Sequence, residues 1–275
     1  MKTYLWSNVL LLAAAGLYGQ QPERVTVPFS DASHARMVRV HLLNGTITVK
    51  GYDGKDVIVE ATAGGALFGP RSHGQRQPDN IDGLRRIDNP NAGVDIREEN
   101  NVITIGGPMS RNGNLTIEVP YETSLQLKSL SGGGITVEHV SGEIDANDLN
   151  GSITLTGVSG SVVAHSLNGQ IAATIDRLTA GKATSFSTLN GNIDVTLPAD
   201  VKANVKMKSD NGDVYSDFDI KLNASNGQPV VEDGRGKGGK YRVKMERTMA
   251  GTINGGGGDL QFTTFNGNIM IRKKK

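Results

Sequence analysis

From residue 131 onward the chain repeats one short unit: a large apolar residue, Asn or Ser, Gly, any residue, Ile or Val, any residue, and a second apolar residue. Leu149-Asn150-Gly151-Ser152-Ile153-Thr154-Leu155 fits throughout. Val140-Ser141-Gly142 leads to Ile144 and Ala146, Val158-Ser159-Gly160 to Val162 and Ala164, and Leu167-Asn168-Gly169 to Ile171 and Ala173. Leu189-Asn190-Gly191 leads to Ile193 and Val195, and Phe265-Asn266-Gly267 to Ile269 and Ile271. Asp210-Asn211-Gly212 with Val214 is a degenerate copy, and Leu43-Asn44-Gly45 with Ile47 and Val49 an early one. Side chains alternate across a strand, so the residues two and four positions after each glycine face one way and the polar residues between them face the other. Asn-Gly supplies a turn where positive φ is needed, as expected at Gly151. Each unit is a corner followed by a short half-buried strand.

The spacing decides how the units combine. Gly133, Gly142, Gly151, Gly160 and Gly169 recur every nine residues, preceded alternately by Ser141, Asn150, Ser159 and Asn168. A coil of two strands and two unlike corners stacks like corner on like. It predicts Asn150, Asn168, Asn190 and Asn211 in one ladder at about 4.8 Å per rung. It also predicts parallel pairing of 153–155 with 171–173, over interior columns of Ile135, Ile144, Ile153, Val162, Ile171 and Ile193. A meander of hairpins, the alternative, gives no reason for the Asn/Ser alternation. The expected fold is all-β: a single-domain parallel β-solenoid or β-helix with short two-strand coils, regular over 131–271, and a β-rich N-terminal lead-in. In that lead-in, strand-like runs occur at Val25–Val27, Met37–Leu43, Val57–Ala61, Val94–Ile96, Val102–Ile105 and Leu115–Val119. Segments 64–93 and 223–239, rich in Gly, Pro and polar residues, read as long surface loops.

Composition agrees with short strands and tight turns: 36 glycines, 5% aromatic residues and a single tryptophan, Trp6. Residues 1–19 read as a secretory signal peptide: Lys2, an apolar stretch from Leu5 to Ala15 too short to span a bilayer, and a small residue at Gly19. Residues 20–36 then form an exposed lead segment, and 37–275 the β-domain. Export places the chain in the periplasm, at the cell surface or in the medium. With no cysteine, lipoprotein anchoring, disulfides and thiol chemistry are excluded. Of the 29 basic residues only Lys2 lies in the signal, so basic and acidic residues then balance at 28 each, and nucleic acid is not an expected partner. The basic tail Arg272-Lys273-Lys274-Lys275 reads as a solvated terminus.

Leu115-Thr116-Ile117-Glu118-Val119-Pro120, the repeat from Ser131 to Ala173 and Leu189-Asn190-Gly191-Asn192-Ile193-Asp194-Val195-Thr196-Leu197-Pro198 resemble, together with the signal peptide, a bacterial putative-adhesin family. The resemblance covers residues 37 to 272. It implies an exported β-solenoid domain and carries over no catalytic residues, because its motifs are turn and core positions.

Parallel β-helices include polysaccharide lyases and hydrolases, which cluster carboxylates on one outward face. Here the outward carboxylates Glu143 and Asp145 are several coils from Asp194. Asp210, Asp213, Asp217 and Asp219 form the densest acidic group and read as turn and surface residues. Gly255-Gly256-Gly257-Gly258-Asp259 is half of a calcium nonapeptide, single and out of register. The histidines (34, 41, 73, 139 and 165) show no ligand spacing. Glycan platforms need aromatic faces that are scarce here. Outward threonines (Thr46/Thr48, Thr154 with Ser152) do not recur from unit to unit, which argues against ice binding. No catalytic, cofactor-binding or metal residues are assigned. The expected function is an adhesin-like, non-catalytic binding or scaffold module of the cell envelope, with an envelope protein or glycan as partner. The alternative is a polysaccharide-active enzyme of the parallel β-helix class.

Overall fold

The computed structural model describes residues 23–31, 34–63, 94–106, 113–223, 229–233, 241–245 and 248–275. The expected signal peptide and the segment 64–93 lie outside them. The described residues form strands and turns, with no helix.

Strands stack in two ladders. The first runs β4 (Asp95–Glu99), β5 (Val102–Gly106), the start of β2 (Arg36–Tyr52), the start of β7 (Thr123–Glu138), β8 (Ser141–Asp148), the end of β9 (Ile153–Asn168), β11 (Thr184–Asn190), β19 (Gly258–Asn266), β13 (Ala203–Asn211), β18 (Thr248–Ile253) and β15 (Lys221–Leu222). The second runs β1 (Glu23–Val27), β3 (Val57–Ala63), β6 (Gly113–Pro120), the end of β2, the end of β7, the start of β9, β10 (Ile171–Leu178), β12 (Ile193–Leu197), β20 (Ile269–Lys273) and β14 (Val214–Ser216). Long strands β2, β7 and β9 pass through both.

Strand 153–155 pairs parallel with 171–173 (Ile153↔Ile171, Leu155↔Ala173). Ser141 pairs with Ser159 and Gly142 with Gly160, so like corner stacks on like. The alternation derived from the repeat holds: Ile135, Ile153, Ile171, Ile193 and Ile269 are buried in one column, while Ile144 and Val162 belong to the other ladder with Leu125 and Phe186. Inward residues of both ladders form one apolar cluster.

Three features of the strand arrangement differ from the sequence-based expectation. The sheet is mixed rather than wholly parallel: β1, β3 and β4 at one end and β18 and β15 at the other pair antiparallel. The β4–β5 reversal is a two-residue turn with Asn100 and Asn101 at φ 53° and 62°, the left-handed pair that suits a tight hairpin. The segment read as a loop over 223–239 contains β16 (Pro229–Asp233), which pairs antiparallel with β17 (Tyr241–Met245). The β-branched Val230-Val231 pair favours strand there more than the surrounding glycines favour loop.

The third difference is in the ladder order. β19 lies between β11 and β13, and β20 between β12 and β14. The chain segment latest in sequence therefore sits inside the stack. Phe262 of β19 stacks on Phe186 of β11, with ring centroids 5.6 Å apart and planes at 13°, an aromatic pair that adds to the area both rings bury. The asparagine ladder consequently reads 150–168–190–266–211. Each amide donates to the previous one: Asn168 to Asn150 (3.0 Å), Asn190 to Asn168 (2.8 Å), Asn266 to Asn190 (2.7 Å) and Asn211 to Asn266 (2.9 Å).

At Gly151, Gly169 and Gly191 the glycine is required by proximity rather than by φ. Gly45, Gly160, Gly212 and Gly267 have the expected positive φ (129°, 122°, 156° and 155°), but Gly151, Gly169 and Gly191 do not. A Cβ on Gly169 would overlap the Gly151 carbonyl oxygen; one on Gly191, that of Gly169; one on Gly267, that of Gly191. Those carbonyls, and that of Gly267, which a Cβ on Gly212 would overlap, accept hydrogen bonds from a buried hydroxyl column: Ser166 to Gly151 (2.9 Å), Thr188 to Gly169 (2.9 Å), Thr264 to Gly191 (3.0 Å) and Ser209 to Gly267 (2.8 Å).

One rung breaks this column. Asp148 pairs with Ser129 on one side and Ser166 on the other and is 2% exposed. Its Oδ1 accepts the Asn150 amide at 3.0 Å, but its Oδ2 and the Ser129 hydroxyl make no hydrogen bond. Burial raises the Asp148 carboxyl above its ordinary range, against the lowering pull of the Asn150 amide and the neighbouring Ser129 hydroxyl.

Two outcomes are expected. Gly191→Ala, whose methyl has no space beneath the Gly169 carbonyl, loses about 1–3 kcal/mol as an overpacking substitution, and an unchanged denaturation midpoint contradicts the close approach. A carboxyl with a raised folded pKa binds more protons folded than unfolded, so stability is highest below the unfolded value and falls as pH rises toward the folded one. Asp148→Asn keeps the acceptor for Asn150 and removes the charge. It therefore raises stability at neutral pH and abolishes that part of the decline, as read in melting curves across the acidic range.

Candidate binding surface

The corner that holds the asparagine ladder also sets the direction of the residue before it. Ser129, Asp148, Ser166, Thr188 and Thr264 point inward, so the next residue along each strand must point out. Those positions are Leu130, Leu149, Leu167, Leu189 and Phe265, and Leu43 occupies the rung before Leu130. Apolar side chains therefore form an unbroken outward row. Leu43, Leu130, Leu189 and Phe265 are between 41% and 52% exposed, Leu149 is 37% exposed and Leu167 is half-buried. Six rungs at the inter-strand spacing make a row about 24 Å long. Large apolar residues placed singly on a surface are ordinary, whereas a contiguous line of them marks an interaction surface.

On one flank of this row runs the asparagine ladder. On the other lie the outward residues of the first ladder: His41, Lys128, Asn147, His165, Ser187 and Thr263, mutually in register. Over the last four of these rungs, Asn147 to Thr263, there is no lysine, arginine or carboxylate in the flanking row. At the Leu43 end of the row, His41, Leu42, Leu43, Lys128, Ser129 and Leu130 line a shallow depression. Asp148 adjoins this end through its pairing with Ser129.

The outward carboxylates singled out in the sequence are not brought together. Glu143 forms an ion pair with Lys182. Asp145 accepts from Asn147 at 2.6 Å. Asp194 is bound by both Nε and an Nη of Arg272, at 2.7 and 3.0 Å, and this raises the Arg272 guanidinium pKa, chiefly through the hydrogen bond and then through the charge of Asp194. Asp213 accepts from the Tyr215 hydroxyl at 3.4 Å, and Asp217 accepts the Lys273 amide at 3.3 Å. Among the described residues no group of three or more His, Asp or Glu side chains is placed to hold a metal ion. His34 lies 2.7 Å from Asp31, and His73 lies outside the described residues.

The threonines do recur, contrary to the sequence-based expectation. Thr116, Thr48, Thr136 and Thr154 occupy four adjacent rungs of the second ladder. The repeat spacing did not show this, because β6 enters the stack from outside the repeat and pairs parallel with β2. Beyond Thr154 the row ends at Ala172 and Asp194, and the parallel row two residues earlier contains Thr46 against Gly134. One short row of threonines does not make a two-rank threonine face.

The leucine row was within reach of the sequence, since its members occupy the first position of the repeated unit. The alternation rule assigns their direction only once the inward Ser/Thr/Asp column is recognised, and that column hides among residues equally at home on a surface.

Among the described residues no helix is long and apolar enough to cross a membrane. No protein-family model and no curated protein matches the chain. Two solved structures are similar to it. A putative cell adhesion protein from Clostridium sporogenes ATCC 15579 shares 10% identity over 92% of this chain and 100% of its own, with a TM-score of 0.47. A putative adhesin from Bacteroides fragilis NCTC 9343 shares 12% identity over 93% of this chain and 98% of its own, with a TM-score of 0.32.

Proposed function

We propose that this chain is an exported, non-catalytic binding module of the cell envelope, wound as a β-solenoid between its antiparallel ends, that engages its partner along the leucine row. The observation that carries this reading is the row itself: Leu43, Leu130, Leu149, Leu167, Leu189 and Phe265 remain at the surface although the repeat could place any polar residue there. Completing the burial of a half-exposed leucine contributes about 1 kcal/mol, so six such positions on a preorganised backbone suffice for a specific contact. The amide ladder beside it holds the row at fixed spacing, which limits the ordering cost of binding. An apolar row with one aromatic residue suits a protein surface better than a sugar, whose recognition draws on aromatic faces.

The pairing of Glu143, Asp194 and Asp213 with cations or a neighbouring hydroxyl supports the non-catalytic part of the reading, because a general acid or base must be available to substrate.

The test is capture of an envelope partner by the mature chain and by a Leu149→Ser/Leu189→Ser variant. Both positions are exposed, so melting should be unchanged while capture falls at least severalfold; capture equal to wild type overturns the assignment of the row. Alanine at Glu143, Asp145, Asp194, Asp213 or His165 should leave capture intact. A hydrolase or lyase activity on polysaccharide that disappears with one of these substitutions, folding preserved, would make the protein an enzyme instead.

A further inference from the structure

We propose that Asn211–Gly212 is a site of spontaneous deamidation in the folded protein, and that the asparagine ladder shields the other corners of the same sequence. This inference is independent of the proposed function. Asn-Gly is the dipeptide most open to this reaction, because glycine leaves its backbone nitrogen unhindered. The Gly212 nitrogen loses its proton to solvent and attacks Asn211 Cγ. A nitrogen–Cγ bond forms, the Cγ–Nδ2 bond breaks, and Nδ2 leaves as ammonia after taking up a proton from water. Water then opens the cyclic imide at either carbonyl, giving aspartate or isoaspartate.

Five corners carry this dipeptide within one ladder, yet they are not equivalent. The side-chain amides of Asn150, Asn168, Asn190 and Asn266 each both donate and accept a hydrogen bond, Asn150 donating to the Leu130 carbonyl at 3.3 Å. Rotation of Cγ toward the following nitrogen breaks two bonds at each of these. Two of the attacking nitrogens are also engaged: the Gly191 N–H donates to the Asn266 carbonyl at 2.9 Å and the Gly267 N–H to the Asn211 carbonyl at 3.0 Å.

Asn211 is the end of the ladder. Its Nδ2 donates to Asn266; among the described residues its Oδ1 accepts nothing and no backbone carbonyl receives the Gly212 N–H. The reason is topological. Beyond β13 lies β18, which runs antiparallel and, among the described residues, pairs with Ala203 to Lys208, so no described corner stacks on Asn211. Both Asn211 and Gly212 are exposed, so solvent base and water reach the reacting atoms.

The product alters the end of the stack. A carboxylate at 211 cannot donate to Asn266 Oδ1, and it adds negative charge between Asp210 and Asp213. Asn266 then becomes the terminal amide.

The experiment incubates the folded chain in mildly alkaline buffer and follows each corner by peptide mapping. The conversion at Asn211 should run severalfold faster than at Asn150, Asn168, Asn190 and Asn266, and the difference should vanish when the chain is unfolded in denaturant. Equal rates in the folded protein overturn the proposal. So does a preference for Asn211 that persists in denaturant, since local sequence would then be its cause. An Asn211→Asp variant, melting near wild type, should show faster conversion at Asn266 than the parent chain; an unchanged Asn266 rate removes the ladder as the shielding element.

Discussion

Everything in this molecule depends on how closely one corner can approach the next. Parallel strands stack at about 4.8 Å, and at that distance the corner backbone of one unit lies against the carbonyl oxygen of the unit before it. Only glycine has room there, as the overlaps beneath Gly169, Gly191 and Gly267 show. Once glycine is in place, the asparagine before it has its amide at hydrogen-bonding distance from its neighbour. The hydroxyl inside then finds the same carbonyl from the other side. One steric constraint thus produces an external amide ladder, an internal hydroxyl column and, between them in sequence, an outward apolar row.

The repeat made much of this legible. Alternation assigned Ile153, Ile171 and Ile193 to the interior, and the alternating Asn and Ser corners implied stacking of like on like. What stayed hidden has physical causes. The turn chemistry of Asn-Gly suggests positive φ, but close approach explains glycine at Gly151 and Gly169, and no single-chain pattern distinguishes the two. The ladder order could not be read because a repeated unit fits any rung: Asn266 matches Asn190 as well as Asn211 does, and the contact of Phe262 with Phe186 favours the interleaved arrangement. The antiparallel end strands match no copy of the repeated unit, so short strands such as β18 have no periodic signature.

The outward surface divides by chemistry. Carboxylates on it are mostly held by a neighbouring lysine, arginine, amide or hydroxyl, which suits a stable face rather than proton transfer. The row beside the amide ladder is instead left without polar cover. Asp148 stands apart as a buried carboxyl where the other rungs carry a hydroxyl, next to the end of that row where the surface dips.

Placing β19 and β20 between strands made earlier in the chain has a consequence for the order of assembly. Once β1 to β7 have paired, growth can proceed strand by strand through β12, because each new strand finds its neighbour already formed. β13 and β14 cannot dock next, since their lasting neighbours are residues 258–273, which follow them in sequence. Two late segments must therefore meet a growing edge in the reverse of their chain order, closing a long loop before either is secure. Pairings of this kind are entropically slow. Until they form, β11 and β12 present an unpaired parallel edge, and the closing step determines how long that edge stays open.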